Sequence, residues 1–199
     1  MTHLPVILLA AGASARMRGR DKLLEDVGGQ PLLRRQAIMA RTIGPVVVAL
    51  PPAPHPRYTA LSGLDITALP VPDAAEGMGA SLGAGFAALP AGTRAAMVLL
   101  ADMPDLTADD LACVAAAVDL DSDTRIWRGA TADGAPGHPI VFAAALFAQM
   151  ARLTGDDGGR GVVAQAGDRV QLVPLPGNRA RLDLDTPEDW AAWRCQMRD

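Results

Sequence analysis

Apolar residues in this chain gather in short unbroken runs, separated by stretches with helical periodicity. Val6-Ile7-Leu8-Leu9-Ala10-Ala11 is apolar throughout, the pattern of a strand buried on both faces. Val46-Val47-Val48-Ala49-Leu50 repeats it and is stopped by Pro51-Pro52. Met97-Val98-Leu99-Leu100-Ala101 repeats it again and ends in Asp102-Met103-Pro104. A weaker strand is predicted over 66–71, and two more over 125–130 and 139–142 flank the glycine-rich loop Asp133-Gly134-Ala135-Pro136-Gly137. Short strands over 170–174 and 181–184 complete the set. Of the helices, Pro31 opens one to about 42, with Leu32, Leu33, Gln36 and Met39 on one side and Arg34, Arg35 and Arg41 over the rest. In the next, over 78–89, Gly79, Gly83 and Gly85 suit close backbone approach better than helix propensity. Thr107 caps a helix with Asp109 and Asp110 in its first turn. Residues 143–153 and 159–166 read as helical, and Thr186-Pro187-Glu188-Asp189 starts the last helix. Such alternation predicts an α/β fold: a mostly parallel sheet with helices on both faces, binding its ligand outside the carboxyl ends of the strands.

Composition narrows the class. With 199 residues the chain is one domain's worth. Half of it is hydrophobic, which excludes a disordered protein. The charge is 18 − 22 = −4, and three Phe, three Trp and one Tyr supply no stacking platform, so nucleic acid is not an expected partner. Cys113 and Cys195 form neither a disulfide framework nor a zinc knuckle and read as small hydrophobes in a reducing compartment. The Met1-Thr2-His3-Leu4-Pro5-Val6 start has no basic region, and no run approaches the roughly 20 apolar residues of a membrane span, so the expectation is a cytoplasmic protein without membrane contact.

Three strand ends carry residues that a structural role does not explain. Leu9-Ala10-Ala11-Gly12-Ala13-Ser14-Ala15-Arg16-Met17 leaves the first strand as a small-residue loop whose N–H groups make an anion site, with Arg16 and Lys22 as two cations beside it. Gly12 lets the backbone approach a phosphate. An ordinary turn with two solvated cations would read the same way. Asp102, at the end of the third buried run, is placed to take Mg²⁺ bound to a triphosphate, the alternative being a turn cap. Asp183 and Asp185 alternate with Leu182 and Leu184, so both carboxylates are expected on one side of a short strand. Gly77, Gly79 and Ser81 offer N–H groups and a hydroxyl at a helix start, whereas His138 and Arg160 lie in glycine-rich turns of the other half. His3 and His55 have no such context.

These residues also carry a resemblance. Leu-Ala-Ala-Gly-x-Ser-x-Arg-Met at 9–17, then Lys22-Leu23-Leu24 and Gly29-Gln30-Pro31-Leu32-Leu33, resembles the signature of the sugar-nucleotidyl and cofactor nucleotidyltransferases. Four further segments resemble the MobA-like, molybdenum cofactor cytidylyltransferase branch: Glu76-Gly77-Met78-Gly79-Ala80-Ser81-Leu82, Leu99-Leu100-Ala101-Asp102-Met103-Pro104, Pro136-Gly137-His138-Pro139 and Gly155-Asp156-Asp157-Gly158-Gly159-Arg160. The resemblance spans residues 8–190. It implies a single-domain, Rossmann-like three-layer α/β/α sandwich of the nucleotide-diphospho-sugar transferase type, with a mostly parallel, mixed sheet. A nucleotide-binding half is expected over about 1–106 and an acceptor-binding half over about 107–199.

The function so implied is Mg²⁺-dependent transfer of a nucleotidyl group from CTP to the phosphate of molybdopterin, giving the cytosine dinucleotide and pyrophosphate. Arg16, Lys22 and Asp102 are the candidate catalytic residues, with Leu9, Ala10, Ala11, Gly12, Ala13, Ser14, Gly77, Gly79 and Ser81 around the nucleotide. In related transferases a carboxylate before a similar helix completes the metal site, and the match falls on Asp185, beside Asp102. His138 and Arg160 are assigned to the acceptor, and a molybdoenzyme is the expected recipient. CTP is favoured over GTP because guanylyl-transferring relatives have Leu-Ala-Gly-Gly where this chain has Leu-Ala-Ala-Gly, and a Gly-Pro-Leu-Ala-Gly-like stretch in place of 78–82. The alternatives are a cytidylyl- or guanylyltransferase for another small phosphate and a carrier of nucleotide or cofactor without chemistry.

Overall fold

The structure is a computed structural model that describes residues 4–197; His3 lies outside that range. Continuous apolar runs became the central strands. β1 (Val6–Leu9), β2 (Val46–Leu50) and β4 (Ala95–Leu100) are buried almost throughout. With β3 (Thr67–Pro70), β5 (Ile126–Ala130), β6 (Pro136–Ala143) and β7 (Val170–Pro174) they form one seven-stranded sheet in the order β3-β2-β1-β4-β6-β5-β7. β6 alone runs against both of its neighbours, β4 and β5. The edge strand β3 is exposed and ends at Pro70, whose missing N–H an edge tolerates.

The side-chain alternation of each strand divides the core in two. Leu8, Val48, Leu99, Trp127 and Val141 face one layer, built from α1 (Leu32–Arg41), α4 (Ala108–Ala116) and α7 (Pro187–Gln196). Ile7, Ala49, Val98, Ile126 and Phe142 face the other, built from α3 (Met78–Ala87), α5 (Phe147–Met150) and α6 (Arg160–Ala166). The short α2 (Pro56–Ala60) follows β2. This is the predicted three-layer α/β/α sandwich. Both predicted helix starts close as capping boxes, Thr107 with Asp110 and Thr186 with Asp189. The helical glycines meet the protein's own chain: a Cβ would lie 2.3 Å from Thr154 O at Gly79, 2.7 Å from Leu153 O at Gly83 and 2.5 Å from Ile7 Cγ2 at Gly85.

Four local expectations are corrected. Residues 181–184 form no strand, because the Arg181 and Leu182 N–H groups both turn back to Asn178 O and the Leu184 N–H reaches Asp102 O at 3.2 Å. Pro136 and Gly137 belong to β6, not to the glycine-rich loop, since Pro136 pairs with Ala130 and the loop closes earlier through Thr131 N–H to Ala135 O. The helix expected over 143–153 is a 3₁₀ turn (Ala144–Leu146) followed by α5, starting at Ala143, which has no side chain able to cap it. Cys113 and Cys195 are exposed, not packed as core hydrophobes, because α4 and α7 turn them away from the sheet.

Candidate active site

The strand order reverses at β1 and β4, and a cleft opens at their carboxyl ends, where an open α/β sheet binds its ligand. It has a volume of about 340 Å³. It is lined by Leu9 and the small residues Ala10, Ala11, Gly12 and Ala13 after β1, and by Gly77, Met78 and Ser81 at the start of α3. Lys22 and Asp102 stand at its end. A Cβ on Gly12 would meet nothing within 4 Å, so this backbone faces open space. Beyond the 11–13 wall lies a second hollow of about 660 Å³, bordered by Ser14, Asp21, His55 and Arg57.

Gly77 and Ser81 line the cleft, but Gly79 is not among its lining residues. Its N–H already donates to Gly155 O at 2.8 Å, and the close approach of Thr154 explains its lack of a side chain. The 154–159 turn is thereby held against the cleft's α3 wall.

Asp102 follows β4 in a turn fixed from three directions. Ala101 N–H donates to Leu9 O, Gln36 Nε2 to Met103 O at 2.9 Å and Arg35 to Pro104 O at 2.7 Å. Arg35 and Gln36, expected as one exposed and one inward residue of α1, therefore brace the same turn. Asp185 is fixed by the start of α7, where its N–H and that of Thr186 donate to Asp189 Oδ2.

Lys22 joins the two carboxylates. Its Nζ lies 2.5 Å from Asp102 Oδ2 and 2.6 Å from Asp185 Oδ1. Burial pulls the ammonium's pKa down, but Asp102 and then Asp185 outweigh it and leave it raised. Arg16 reaches the other Asp185 oxygen at 2.7 Å with its side chain 72% exposed. Carboxylate oxygens of Asp102, Asp183 and Asp185 lie within 4.8 Å of one another. Partial burial, and then the charges of Asp102 and Asp185, raise the Asp183 pKa. Asp102 Oδ1 is buried without a hydrogen-bond partner. Three convergent carboxylates, one with a spare oxygen, are the hard donor set a Mg²⁺-class ion takes. The expected strand geometry of Asp183 and Asp185 is absent, yet the 181–185 turn still brings both carboxylates to Asp102.

A buried arginine was not expected. Arg57, 2% exposed, donates to Ala10 O at 2.7 Å, to Ser14 Oγ at 3.1 Å and to both Asp21 oxygens at 2.7 and 2.8 Å. Burial pushes the Asp21 carboxyl up, and Arg57 more than reverses this, holding it below the usual carboxylate range. Asp21 in turn caps the one-turn helix (Lys22–Leu24). This clasp sets the path of the loop, including Ser14 at φ 53°. A lone Arg after Pro56 reads as solvated, so no local signal pointed to it. His55 Nδ1 accepts from the Arg57 N–H at 3.3 Å.

His138 and Arg160 are not among the cleft-lining residues. Desolvation, and then the nearby Arg128 charge, pushes His138 down to about 4, so its imidazole is neutral at pH 7. Burial lowers Arg128 too, followed by the repulsion of Arg181 and Arg160. Arg128 thus stands near His138, with Arg181 and Arg160 close enough to act on Arg128; of the three only Arg160 stood out in the sequence.

The decisive comparison spans most of the chain: residues 6–170 match the model of the MobA-like NTP transferase domain. The chain belongs to that family. None of the curated proteins matches it. Rv0371c of Mycobacterium tuberculosis H37Rv is 27% identical, with a TM-score of 0.79 over 96% of this chain and 97% of its own. A nucleotidyl transferase of Methanothermobacter thermautotroptrophicus (Mth528) has a TM-score of 0.77 at 21% identity, covering 98% of both chains. The CMP:2-keto-3-deoxy-manno-octonic acid synthetase complexed with CTP shares the fold at 14% identity, with a TM-score of 0.73 over 98% of each chain. This MobA-like protein is thus a nucleotidyltransferase, and it shares its fold with these structures. No helix among its described residues is long and apolar enough to cross a membrane.

Proposed function

We propose that this nucleotidyltransferase moves a cytidylyl group from CTP to the phosphate of molybdopterin. An oxygen of the acceptor phosphate forms the new bond to the α-phosphorus, the bond from that phosphorus to the β-phosphate's bridging oxygen breaks, and pyrophosphate leaves. The observation that carries the reading is the junction of the small-residue loop, Lys22 and the carboxylates at one end of one cleft. The loop N–H groups, Lys22 and Arg16 neutralise the triphosphate; no covalent enzyme intermediate is needed.

Asp102 and Asp185, with Asp183 beside them, are assigned to hold Mg²⁺. When bound, the ion supplies charge neutralisation at the phosphates. A manganese complex of Rv0371c, 25% identical with a TM-score of 0.77 over 96% of this chain and 97% of its own, supports a divalent cation in this family. Gly77 and Ser81 line the same cleft as Ala11 and are assigned to the base and ribose side. His138 and Arg160, with Arg128 and Arg181 nearby, are assigned to the acceptor. Cations suit its phosphate, and a molybdoenzyme is the recipient.

The test is incubation with each nucleoside triphosphate, Mg²⁺ and molybdopterin, followed by identification of the product. CTP is expected to exceed GTP at least about tenfold in catalytic efficiency, or roughly 1.4 kcal/mol. Equal use of both removes the cytidylyl assignment. Turnover only with another phosphate acceptor removes molybdopterin. Binding without pyrophosphate release favours a carrier.

A further inference from the structure

A cation shared by Asp102 and Asp185 has its place already taken. Lys22 Nζ donates to Asp102 Oδ2 and Asp185 Oδ1 at 2.5 and 2.6 Å, with its side chain only 14% exposed. A Mg²⁺-class ion draws carboxylate oxygens to about 2.0–2.1 Å. Asp102 Oδ1 has no hydrogen-bond partner, but an ion bound there or shared with Asp185 lies beside the ammonium, and their like charges repel at short range. Arg16, on the remaining Asp185 oxygen, is mostly in solvent and is screened there. Lys22 is therefore the cation that decides whether the carboxylates are open.

Its backbone is fixed, and its side chain is held only at the tip, by the two carboxylates. Asp21 caps the turn that carries Lys22, Arg57 holds Asp21, and the Lys22 N–H is 3.3 Å from Ser14 Oγ. The four-carbon stem places a compact, strongly hydrated charge at its end. Ala11, Gly12 and Ala13 line the same cleft as Lys22. A phosphate held by that loop offers the ammonium a second partner without any backbone displacement.

We propose that Lys22 is a resident counter-ion that keeps the carboxylate cluster closed to a bare divalent cation, and that a triphosphate in the cleft opens it by drawing the ammonium away. This rests on the nucleotidyltransferase reading of the cleft. Metal and nucleotide then bind as a linked pair: each strengthens the other, and by the same factor. Part of the linkage belongs to Lys22; the direct contact between metal and phosphate supplies the rest.

The experiment measures Mn²⁺ binding to the full chain by electron paramagnetic resonance, with and without a non-hydrolysable CTP analogue. Wild type is compared with Lys22→Gln and Lys22→Met, both checked for fold by circular dichroism. Without nucleotide, each variant is expected to bind Mn²⁺ at least tenfold more tightly than wild type. The analogue is expected to tighten Mn²⁺ binding more in wild type than in either variant. Adding Asp102→Asn to Lys22→Gln is expected to cancel the gain, which locates the ion.

Unchanged or weaker nucleotide-free Mn²⁺ binding in the Lys22 variants overturns the proposal. So does a gain that survives Asp102→Asn. Should both variants misfold, wild type decides by its own titration: tight Mn²⁺ binding without nucleotide, unimproved by the analogue, overturns the proposal. Failure of the nucleotidyltransferase reading has a separate signature, the absence of pyrophosphate release from any triphosphate by wild type.

Discussion

Arg57 and Asp21 form a two-pronged ion pair, Nε to Oδ2 at 2.8 Å and Nη2 to Oδ1 at 2.7 Å, with the guanidinium buried against the 10–14 loop. The planar fork of arginine matches both carboxylate oxygens, which a lysine ammonium cannot do. Arg57→Met leaves Asp21, Ser14 Oγ and Ala10 O without their donor. It is expected to cost about 3 kcal/mol of stability and to raise the KM for nucleotide. Arg57→Lys keeps the charge and is expected to fall between wild type and Arg57→Met. Urea unfolding and steady-state kinetics check both, and a stability loss with an unchanged KM would remove the clasp from nucleotide binding.

Asp102→Asn replaces a strand-end carboxylate by a near-isostere in a turn held through backbone carbonyls, so the fold should persist. Turnover is expected to drop by at least about 100-fold, roughly 2.7 kcal/mol of transition-state stabilisation. Asp185 shares Lys22 with Asp102 in near-equal geometry, and Asp185→Asn should show a loss of the same order. Pyrophosphate release measures each. Activity of Asp102→Asn within threefold of wild type would remove that carboxylate from the mechanism.

Two glycines separate ligand approach from packing. At Gly137 an added Cβ would sit 2.0 Å from Ala180 O, a backbone atom that cannot swing aside. Gly137→Ala is therefore expected to destabilise the fold by about 2–3 kcal/mol. At Gly12 nothing lies within 4 Å. Gly12→Ala is expected to keep wild-type stability while weakening nucleotide binding, because its methyl group points where a phosphate would approach. Thermal unfolding and nucleotide titration of the pair give the answer, and unchanged affinity in Gly12→Ala would count against the loop as the phosphate site.

His138 gives the acid side of the stability profile a defined sign. Folded, it takes a proton only near pH 4, whereas unfolded it does so near the ordinary value of about 6.5. Between those limits the unfolded chain binds more protons, so stability falls as pH drops from about 6.5 towards 4. His138→Gln removes that contribution. Across pH 7 to 4.5, its urea midpoint is expected to fall less than that of wild type. Equal falls would show that His138 is not held neutral by the fold.

Much of the architecture was legible because local chemistry dictated it. Val46–Leu50 and Val170–Pro174 became strands over the expected residues, and Thr107 and Thr186 became helix caps, since burial runs and caps act within a few residues. The misreadings came where a distant partner outweighed local pattern. The alternating 181–184 stretch turned because its N–H groups found Asn178 and Asp102. Pro136 and Gly137 joined β6 because Pro136 pairs with Ala130 of β5, and the Ala180 backbone lies against Gly137.

By itself the sequence determined the α/β class, the family and the residue types of the site: a small-residue loop, Lys22 and the carboxylates Asp102 and Asp185. Only the tertiary structure decided that Lys22 lies between those carboxylates, which stand 80 and 163 positions away along the chain. It also decided that Arg57 lies against the loop. Hydrophobic periodicity and capping act over a turn or two and so can be read locally. Ion pairs such as these depend on where the sheet order brings separate strand ends together, and that follows from how the whole core packs.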